Sequence, residues 1–383
     1  MKKTILILSL IIFVSGSALS QEKPKFLTLN GYVSIMQSVM FDSLSGPFVN
    51  DNLIHNRLNF KGYVNENITF AAEFRNRLFI GDMVRSVPLY SEMIASDQGW
   101  VDMSWNLLNE QSFFLNTAID RLWVDFNYGK FQARVGRQRI NWGQTLVWNP
   151  NDLFNSYSFF DFDYVERPGS DAIRLQYYPG VSSALELAVK ADYNNKITAA
   201  ALYRFNKCGY DIQFLGGYVE SEDIMAGAGW SGSFGSVSFR GEASWFRPYK
   251  NFRNSAGRGI FTFGFDKSFK NNSMAQIQLM LCNNPVDPGS FSKFYFGTLS
   301  AKDLAFSKFT AFSQFTWPLT PLFNASVSAM WFPDLKGYYA GPSFDYSISE
   351  NTDLSLYWQH FDSKTSDPAE KINMGFLRVK ISF

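Results

Sequence analysis

Leu377-Arg378-Val379-Lys380-Ile381-Ser382-Phe383, the last seven residues of the chain, alternate apolar and polar and stop on an aromatic. Leu377, Val379, Ile381 and Phe383 fall on one face of a strand; Arg378, Lys380 and Ser382 fall on the other. Successive side chains of a strand point to opposite sides, so this one suits hydrocarbon on one side and water on the other. Repeated around a closed ring, that division gives an all-β transmembrane antiparallel barrel. Such a ring leaves no backbone polar group unpaired in lipid.

The alternation recurs in segments of about ten residues, the length of a tilted strand across a bilayer. Ile54, Leu58, Phe60 and Val64 oppose His55, Arg57, Asn59 and Lys61. Ile68, Phe70, Ala72, Phe74, Leu78 and Ile80 oppose Thr69, Glu73, Arg75 and Arg77. Val237, Phe239, Ala243 and Trp245 oppose Ser238, Arg240, Glu242 and Ser244. The pattern predicts about eighteen strands, within a range of roughly 16–18. They are 26–41, 53–64, 67–80, 112–127, 130–139, 171–179, 183–193, 197–206, 209–220, 223–232, 235–246, 259–268, 274–283, 302–316, 321–332, 338–348, 353–362 and 373–383. Two of them strain the rule: Asp120 lands on the apolar face of 112–127, and 302–316 alternates poorly.

Every second connection is short and turn-like, as at Asn65-Glu66-Asn67, Tyr128-Gly129-Lys130 and Glu350-Asn351-Thr352. The others are mostly long: 42–52, 81–111, 140–170, 247–258, 284–301 and 363–372. Membrane barrels sort their loops in this way, with short turns at one rim and long loops at the other. A soluble sandwich has no reason to.

With 39 Phe, 18 Tyr and 10 Trp the chain is 17% aromatic, yet its mean hydropathy is only −0.13. Aromatic girdles outside and a polar lining inside average to such a value. A formal net charge of +1 gives no reason to expect nucleic acid as a partner. Met1-Lys2-Lys3, the apolar run Thr4 to Val14, and Ala18-Leu19-Ser20 before Gln21 make a secretory leader over 1–20. Residues 21–383 then form the barrel, whose first strand follows too soon for an N-terminal plug domain. The apolar run of the leader is short for a helical anchor.

The inward faces of the early strands are basic. Arg57, Lys61, Arg75, Arg77, Arg121, Arg134 and Arg174 are predicted to line the lumen with Glu73 and Asp125. Neighbouring strands lie about 4.8 Å apart, so these groups share one wall. Such a stripe either draws anions into a low-dielectric pore or braces the wall by pairing with carboxylates.

The densest motif is Arg134-Val135-Gly136-Arg137-Gln138-Arg139-Ile140-Asn141-Trp142-Gly143-Gln144, followed by Trp148-Asn149-Pro150-Asn151-Asp152. Asn149-Pro150 looks like a helix start, with Asn149 as cap. Loop 140–170 either folds into the mouth and constricts it or packs outside on its tryptophans. The candidate constriction residues are Arg137, Gln138, Asn141, Trp142, Trp148 and Asp152. Loop 81–111 carries Met83, Tyr90, Met93, Trp100 and Trp105, too apolar to stand free, and is expected to fold onto the barrel or meet a partner.

His55 and His360 are the only histidines, and neither sits in a nucleophile motif. No metal-ligand spacing or phosphate loop occurs, so no catalysis, cofactor or metal is expected. Cys208 falls in a short turn and Cys282 at the opposite rim, farther apart than the roughly 7 Å that a disulfide spans. Two free thiols are expected.

Gly136-Arg137-Gln138 with Trp142-Gly143 resembles a segment of Gram-negative outer-membrane porin-like proteins allied to alginate-export and phosphate-selective porins, in a Bacteroidetes-like style. The likeness implies a strand closing into a pore-region loop, and passage of small, acidic solutes through a channel. The closing strand, with Leu377, Val379, Ile381 and the terminal Phe383, resembles the insertion signal read by the outer-membrane barrel assembly machinery. Outer-membrane lipid, that machinery, small solutes and further copies of the chain are then the expected partners. The rival expectation is a plugged surface barrel for assembly or adhesion, binding polysaccharide or protein through loops 81–111 and 140–170.

Overall fold

The computed structural model describes residues 26–156, 159, 166–286, 300–364 and 370–383; the leader and the centre of connection 284–301 lie outside them. Nineteen strands form one antiparallel sheet. The first seven are β1 (Leu27–Phe41), β2 (Val49–Tyr63), β3 (Ile68–Gly81), β4 (Ser104–Asn109), β5 (Phe113–Tyr128), β6 (Phe131–Gln138) and β7 (Ser170–Gly180). Then come β8 (Ser183–Ala191), β9 (Ile197–Lys207), β10 (Tyr210–Val219), β11 (Asp223–Phe234), β12 (Val237–Pro248) and β13 (Arg258–Ser268). The ring is completed by β14 (Met274–Cys282), β15 (Phe309–Thr320), β16 (Phe323–Phe332), β17 (Gly337–Ser349), β18 (Thr352–Ser363) and β19 (Glu370–Ser382). Two short helices, α1 (Asp82–Ser86) and α2 (Tyr90–Ala95), lie between β3 and β4. No helix among the described residues is long and apolar enough to cross a membrane.

β19 closes the ring on β1, in register from Tyr32 opposite Ser382 to Phe41 opposite Asn373. One edge of β5 pairs with β3. The other edge carries β6 along Leu122–Tyr128 and β4 along Phe114–Ala118. The barrel therefore has eighteen staves, as the alternation predicts, and β4 is an added patch. β6 spans 8 residues against 16 in β5, and β4 occupies the length that β6 leaves bare.

Three departures from the sequence reading have physical causes. β2 starts at Val49 rather than residue 53, so the loop before it shrinks. β15 starts at Phe309; the preceding residues, from a short 3-10 turn at Ala301–Asp303 onward, pack in the mouth, which is why 302–316 alternates poorly. At Asp120 the β3–β5 ladder slips by one residue between Arg121 and Ile119. This bulge turns Asp120 to the lumen, and the apolar face switches from Leu115 and Ile119 above to Leu122, Val124 and Phe126 below.

Elsewhere the faces sort as the period of two requires. On β12 Glu242, Ser244 and Phe246 point in and are buried, while Trp245 points out. The inward face also changes with height. At the long-loop rim it is apolar, with Phe246, Ile260, Met280, Phe312, Met330 and Phe361 gathered into one buried cluster. Below that collar the same strands present Arg240, Asp266, Gln276 and Gln314.

Candidate functional site, a segment lashed across the lumen

The basic wall is a lattice of pairs. Arg57, wholly buried on β2, donates Nη1 to Asp120 at 2.5 Å and Nη2 to Glu73 at 2.6 Å, with Glu166 3.9 Å from Nε. Arg75 reaches Asp120 at 3.4 Å. Arg77 donates to Asn116 Oδ1 at 2.9 Å. Arg121 donates to the carbonyls of Asp120, Glu166 and Arg167, fixing the end of the 139–169 connection to the wall. Arg134 meets Asp125 at 2.6 Å and lies 4.1 Å from the Trp123 ring centroid. Arg174 meets Glu186 at 2.5 Å. Lys61 is exposed, 5.1 Å from the Tyr63 ring.

The connection after β6 turns into the barrel at mid-height and walks along the opposite wall. Trp142 Nε1 donates to Glu186 on β8 at 3.0 Å, and Gln213 on β10 donates to the Trp142 carbonyl at 2.6 Å. Glu242 on β12 is the principal fastening. Its carboxylate accepts the backbone N–H groups of Gln144, Thr145 and Asn151, and the Thr145 hydroxyl at 3.0 Å. Gln278 on β14 accepts from Val147 N at 2.9 Å and donates to the Trp148 carbonyl at 3.1 Å. Trp148 then stands edge-on to Phe312 of β15.

The return path is fastened as well. Asn151 donates to the Ala228 carbonyl at 2.9 Å, its side chain lying against Gly227 and Gly229 of β11. A Cβ on either glycine would sit within about 3 Å of that amide, so only glycine lets the segment come this close. Lys190 holds the Phe154 carbonyl at 2.9 Å, and Asn155 accepts from Ile140 N at 2.7 Å. Irregular backbone survives inside the barrel because the wall supplies these partners; a buried unpaired N–H would cost about 1–3 kcal/mol.

The sequence-predicted constriction residues divide. Trp142 and Trp148 are buried in the crossing segment, and Asp152 is fully enclosed there. Burial pushes the Asp152 carboxyl up to about 7, with Arg139 pulling it down and Glu242 pushing it further up. Asn141 is exposed, its Oδ1 accepting from Gly143 N. Arg137 and Gln138 are corrected to the wall: both belong to β6. Gly136 before them has φ +115° and a Cβ there would lie 2.2 Å from the Leu122 carbonyl oxygen, which explains the glycine. The helix expected at Asn149-Pro150 is a turn: Asp152 N bonds the Asn149 carbonyl, Leu153 N the Asn151 carbonyl, and Asn151 N goes to Glu242.

Arg137 instead secures the other long connection. It donates to Asp97 at 2.6 Å and to Asp171 at 2.7 and 2.9 Å, and also to the carbonyls of Val101 and Ile119. With the bridge between Gly99 and Asp192, these bonds draw residues 96–103 across the gap above β6. Leu89, Met93, Trp100, Trp105 and Leu107 remain exposed on this flap.

Of the other candidates, His55 is buried against Tyr32, 3.5 Å from its hydroxyl, while His360 faces outward between Tyr338 and Asn373. Cys208 is exposed in the β9–β10 turn and Cys282 buried at the far end of β14, both as free thiols. Leu377 and Ile381 point outward on the closing strand, and Phe383 exchanges backbone hydrogen bonds with Gly31. The residues that sequence reasoning missed are Asp120, Glu166, Glu186, Gln213, Glu242 and Gln278. Their inward parity was readable for most, but their partners lie far along the chain.

No family model matches the chain, and no curated protein matches it in sequence. Solved structures do match in fold. The outer membrane protein OpdK from Pseudomonas aeruginosa aligns with a TM-score of 0.60 at 10% identity, over 93% of this chain and 98% of its own. Pseudomonas aeruginosa OccK8 (OprE) gives 0.59 at 10%, over 93% and 98%. Acinetobacter baumannii OccAB4 gives 0.58 at 12%, over 94% and 100%. Identities this low carry the fold and nothing finer: the chain is an eighteen-staved antiparallel barrel of the same fold.

Proposed function

We propose that this protein is a Gram-negative outer-membrane channel through which small solutes diffuse, delivered by a cleaved leader over residues 1–20. One observation carries the reading: a ring apolar outside and polar inside, narrowed at mid-height by a connection fastened to the wall through Glu242, Gln278, Gln213 and Glu186. Diffusion then needs no energy source, and the segment sets the gauge. The likeness in fold to the outer membrane protein OpdK agrees with it. No residue is assigned a catalytic role.

A bias toward anions is part of the proposal. The seven inward cations of β2–β7, Arg57, Lys61, Arg75, Arg77, Arg121, Arg134 and Arg174, exceed by one the six carboxylates on or against that wall, Asp51, Glu73, Asp120, Asp125, Glu166 and Glu186. The surplus raises local anion concentration in a low-dielectric passage. The motif Gly136-Arg137-Gln138 with Trp142-Gly143 supports kinship with the alginate-export and phosphate-selective group, since here too a strand end leads into a pore-region segment. The described part of 140–170 lies inside the barrel, which supports the channel reading over the adhesion rival. Planar-bilayer reversal potentials under a salt gradient test the bias: the expected sign is the anion side, moving toward neutrality in Arg75→Gln/Arg77→Gln. Cation preference in the unmodified protein would remove it.

A further inference from the structure

We infer that the wall at the head of β6 holds a side port, through which a long-chain carboxylate passes between the lumen and the surrounding lipid. The inference rests on the channel reading for its lumenal end and on the edge of β5 for the rest. β4 pairs with β5 along Phe114–Ala118 and β6 along Leu122–Tyr128. Over Ile119, Asp120 and Arg121, that edge of β5 carries no neighbouring strand. Three residues of strand leave a seam roughly 10 Å tall, and it coincides with the bulge. Elsewhere the closed ladder is what makes a barrel wall impassable.

Side chains close the seam. Arg137 Nη1 donates to the Ile119 carbonyl at 3.3 Å and Nη2 to the Val101 carbonyl at 2.7 Å, tying β5 to the flap. Arg137 stands opposite the outward Leu122, and the flap covers it. A Cβ on Gly99 would lie 2.0 Å from Arg137 Nη2, and one on Gly169 would lie 2.8 Å from Arg137 Cγ and 2.9 Å from Arg121 Nη1. Both arginines therefore abut Gly169, and beyond Arg121 stand Arg57 and Arg75, which hold Asp120 on the lumen side. Guanidinium groups thus follow one another through the wall. Outside, exposed Trp100, Val101, Trp105, Leu122, Val135 and Ile173 frame the seam.

An acid head fits the string of arginines, and an alkyl tail fits the frame. A carboxylate offers Arg137 the same two oxygens that Asp171 gives it at 2.7 and 2.9 Å, so exchange keeps the guanidinium paired as the flap lifts. Arg121 is then reached across Gly169, and the tail stays in lipid until the head arrives at the lumen. A neutral apolar solute would meet buried charge, and a short acid has no tail to seat on the outer frame.

The test uses the full mature protein in proteoliposomes, with Cys208→Ser and Trp100→Cys/Asn195→Cys. Trp100 Nε1 donates to Asn195 Oδ1 at 3.1 Å, so a short, cleavable bis-maleimide ties the flap to the β8–β9 turn where it already rests. N-dodecanoylglutamate, whose two charges keep it from crossing lipid unaided, is compared with N-acetylglutamate, the same head on a short tail. Unlinked protein should admit both. Linked protein should admit the short acid at the same rate, with the long-chain acid reduced to the leak of protein-free vesicles and restored on cleavage. Equal entry of the long-chain acid in both states, or none in either while the short acid enters, would overturn the port. Entry of the long-chain acid alone, lost on linking, would keep the port and count against the axial channel. Should the double variant fail to fold, a diazirine in the long tail decides on the unmodified protein. Label confined to 96–103 and 119–121 supports the port, and label spread evenly over the outward strands overturns it.

Discussion

The two long connections flanking the β5–β6 hairpin begin with similar apolar content and bury it to different extents. Residues 139–156 cross the lumen and bury Trp142, Trp148 and Phe154; residues 82–109 cap a gap in the wall and leave Trp100 and Trp105 exposed. Hydrophobicity does not separate them. The difference lies in where irregular backbone finds hydrogen-bond partners, because a segment can enter a barrel only where the wall accepts its N–H groups. Glu242 and Gln278 offer such acceptors opposite the first connection. The second is held at its base by Arg137 between Asp97 and Asp171; its Tyr90 packs on the inward-facing Phe79 and Phe114, while Met93, Trp100 and Trp105 stay exposed.

The sharpest way to break this contrast is Glu242→Ala, which orphans three backbone N–H groups in a buried site, while the Thr145 hydroxyl keeps the Trp148 carbonyl. At about 1 kcal/mol or more for each, about 3 kcal/mol or more of docking is lost, enough to release the segment. Single-channel conductance should rise and 139–156 should become open to protease, with Glu242→Gln milder because one acceptor oxygen remains. Arg137→Ala should follow at about 3–5 kcal/mol, since it leaves Asp97 and Asp171 enclosed without their counter-charge. Thermal unfolding in detergent should register that loss, while conductance stays near the unmodified value. If conductance changes as much as in Glu242→Ala, the two connections are not separate devices.

Asp152 sharpens the contrast through pH. Its folded carboxyl holds a proton up to about pH 7, well above the ordinary carboxylate range. A raised carboxyl favours the folded segment most at acid pH, and that advantage fades as pH rises toward 7. Hydrogen exchange over 139–156, corrected for intrinsic rates, should therefore show protection falling between about pH 4 and pH 7. Asp152→Asn should flatten the curve, and the flap should show no such slope. The smallest effect belongs to Trp142→Phe. It removes the bond to Glu186 yet keeps the ring against Phe154, and Glu186 retains Arg174 and Arg204. The cost should be near 1 kcal/mol, read as a slight rise in protease sensitivity.

Most of the fold is written in the chain at short range. The two-residue period places Glu242, Arg57 and Arg174 on the lumen side from their neighbours alone, and the loop-length asymmetry gives the even count. Asp120 shows where such reading stops. A one-residue bulge reverses the parity of its strand, and the cue is a charge on an apolar face without any sign of which residue slips. The site is less legible because its bonds are long-range: Glu242 lies 97 positions from Thr145, and Gln278 lies 131 from Val147. Arg137 misleads for the same reason, since Asp97 and Asp171 come from either side of the segment it precedes. Glycines such as Gly227 and Gly229 gain meaning only once Asn151 is laid against them.

The most direct measurement is solute flux into liposomes carrying the purified barrel. Small carboxylates should enter faster than neutral sugars of the same size, and Glu242→Ala should widen the range of sizes admitted. Vesicles that stay closed to every solute, in the unmodified protein and in that variant alike, would contradict a water-filled passage gauged by the crossing segment.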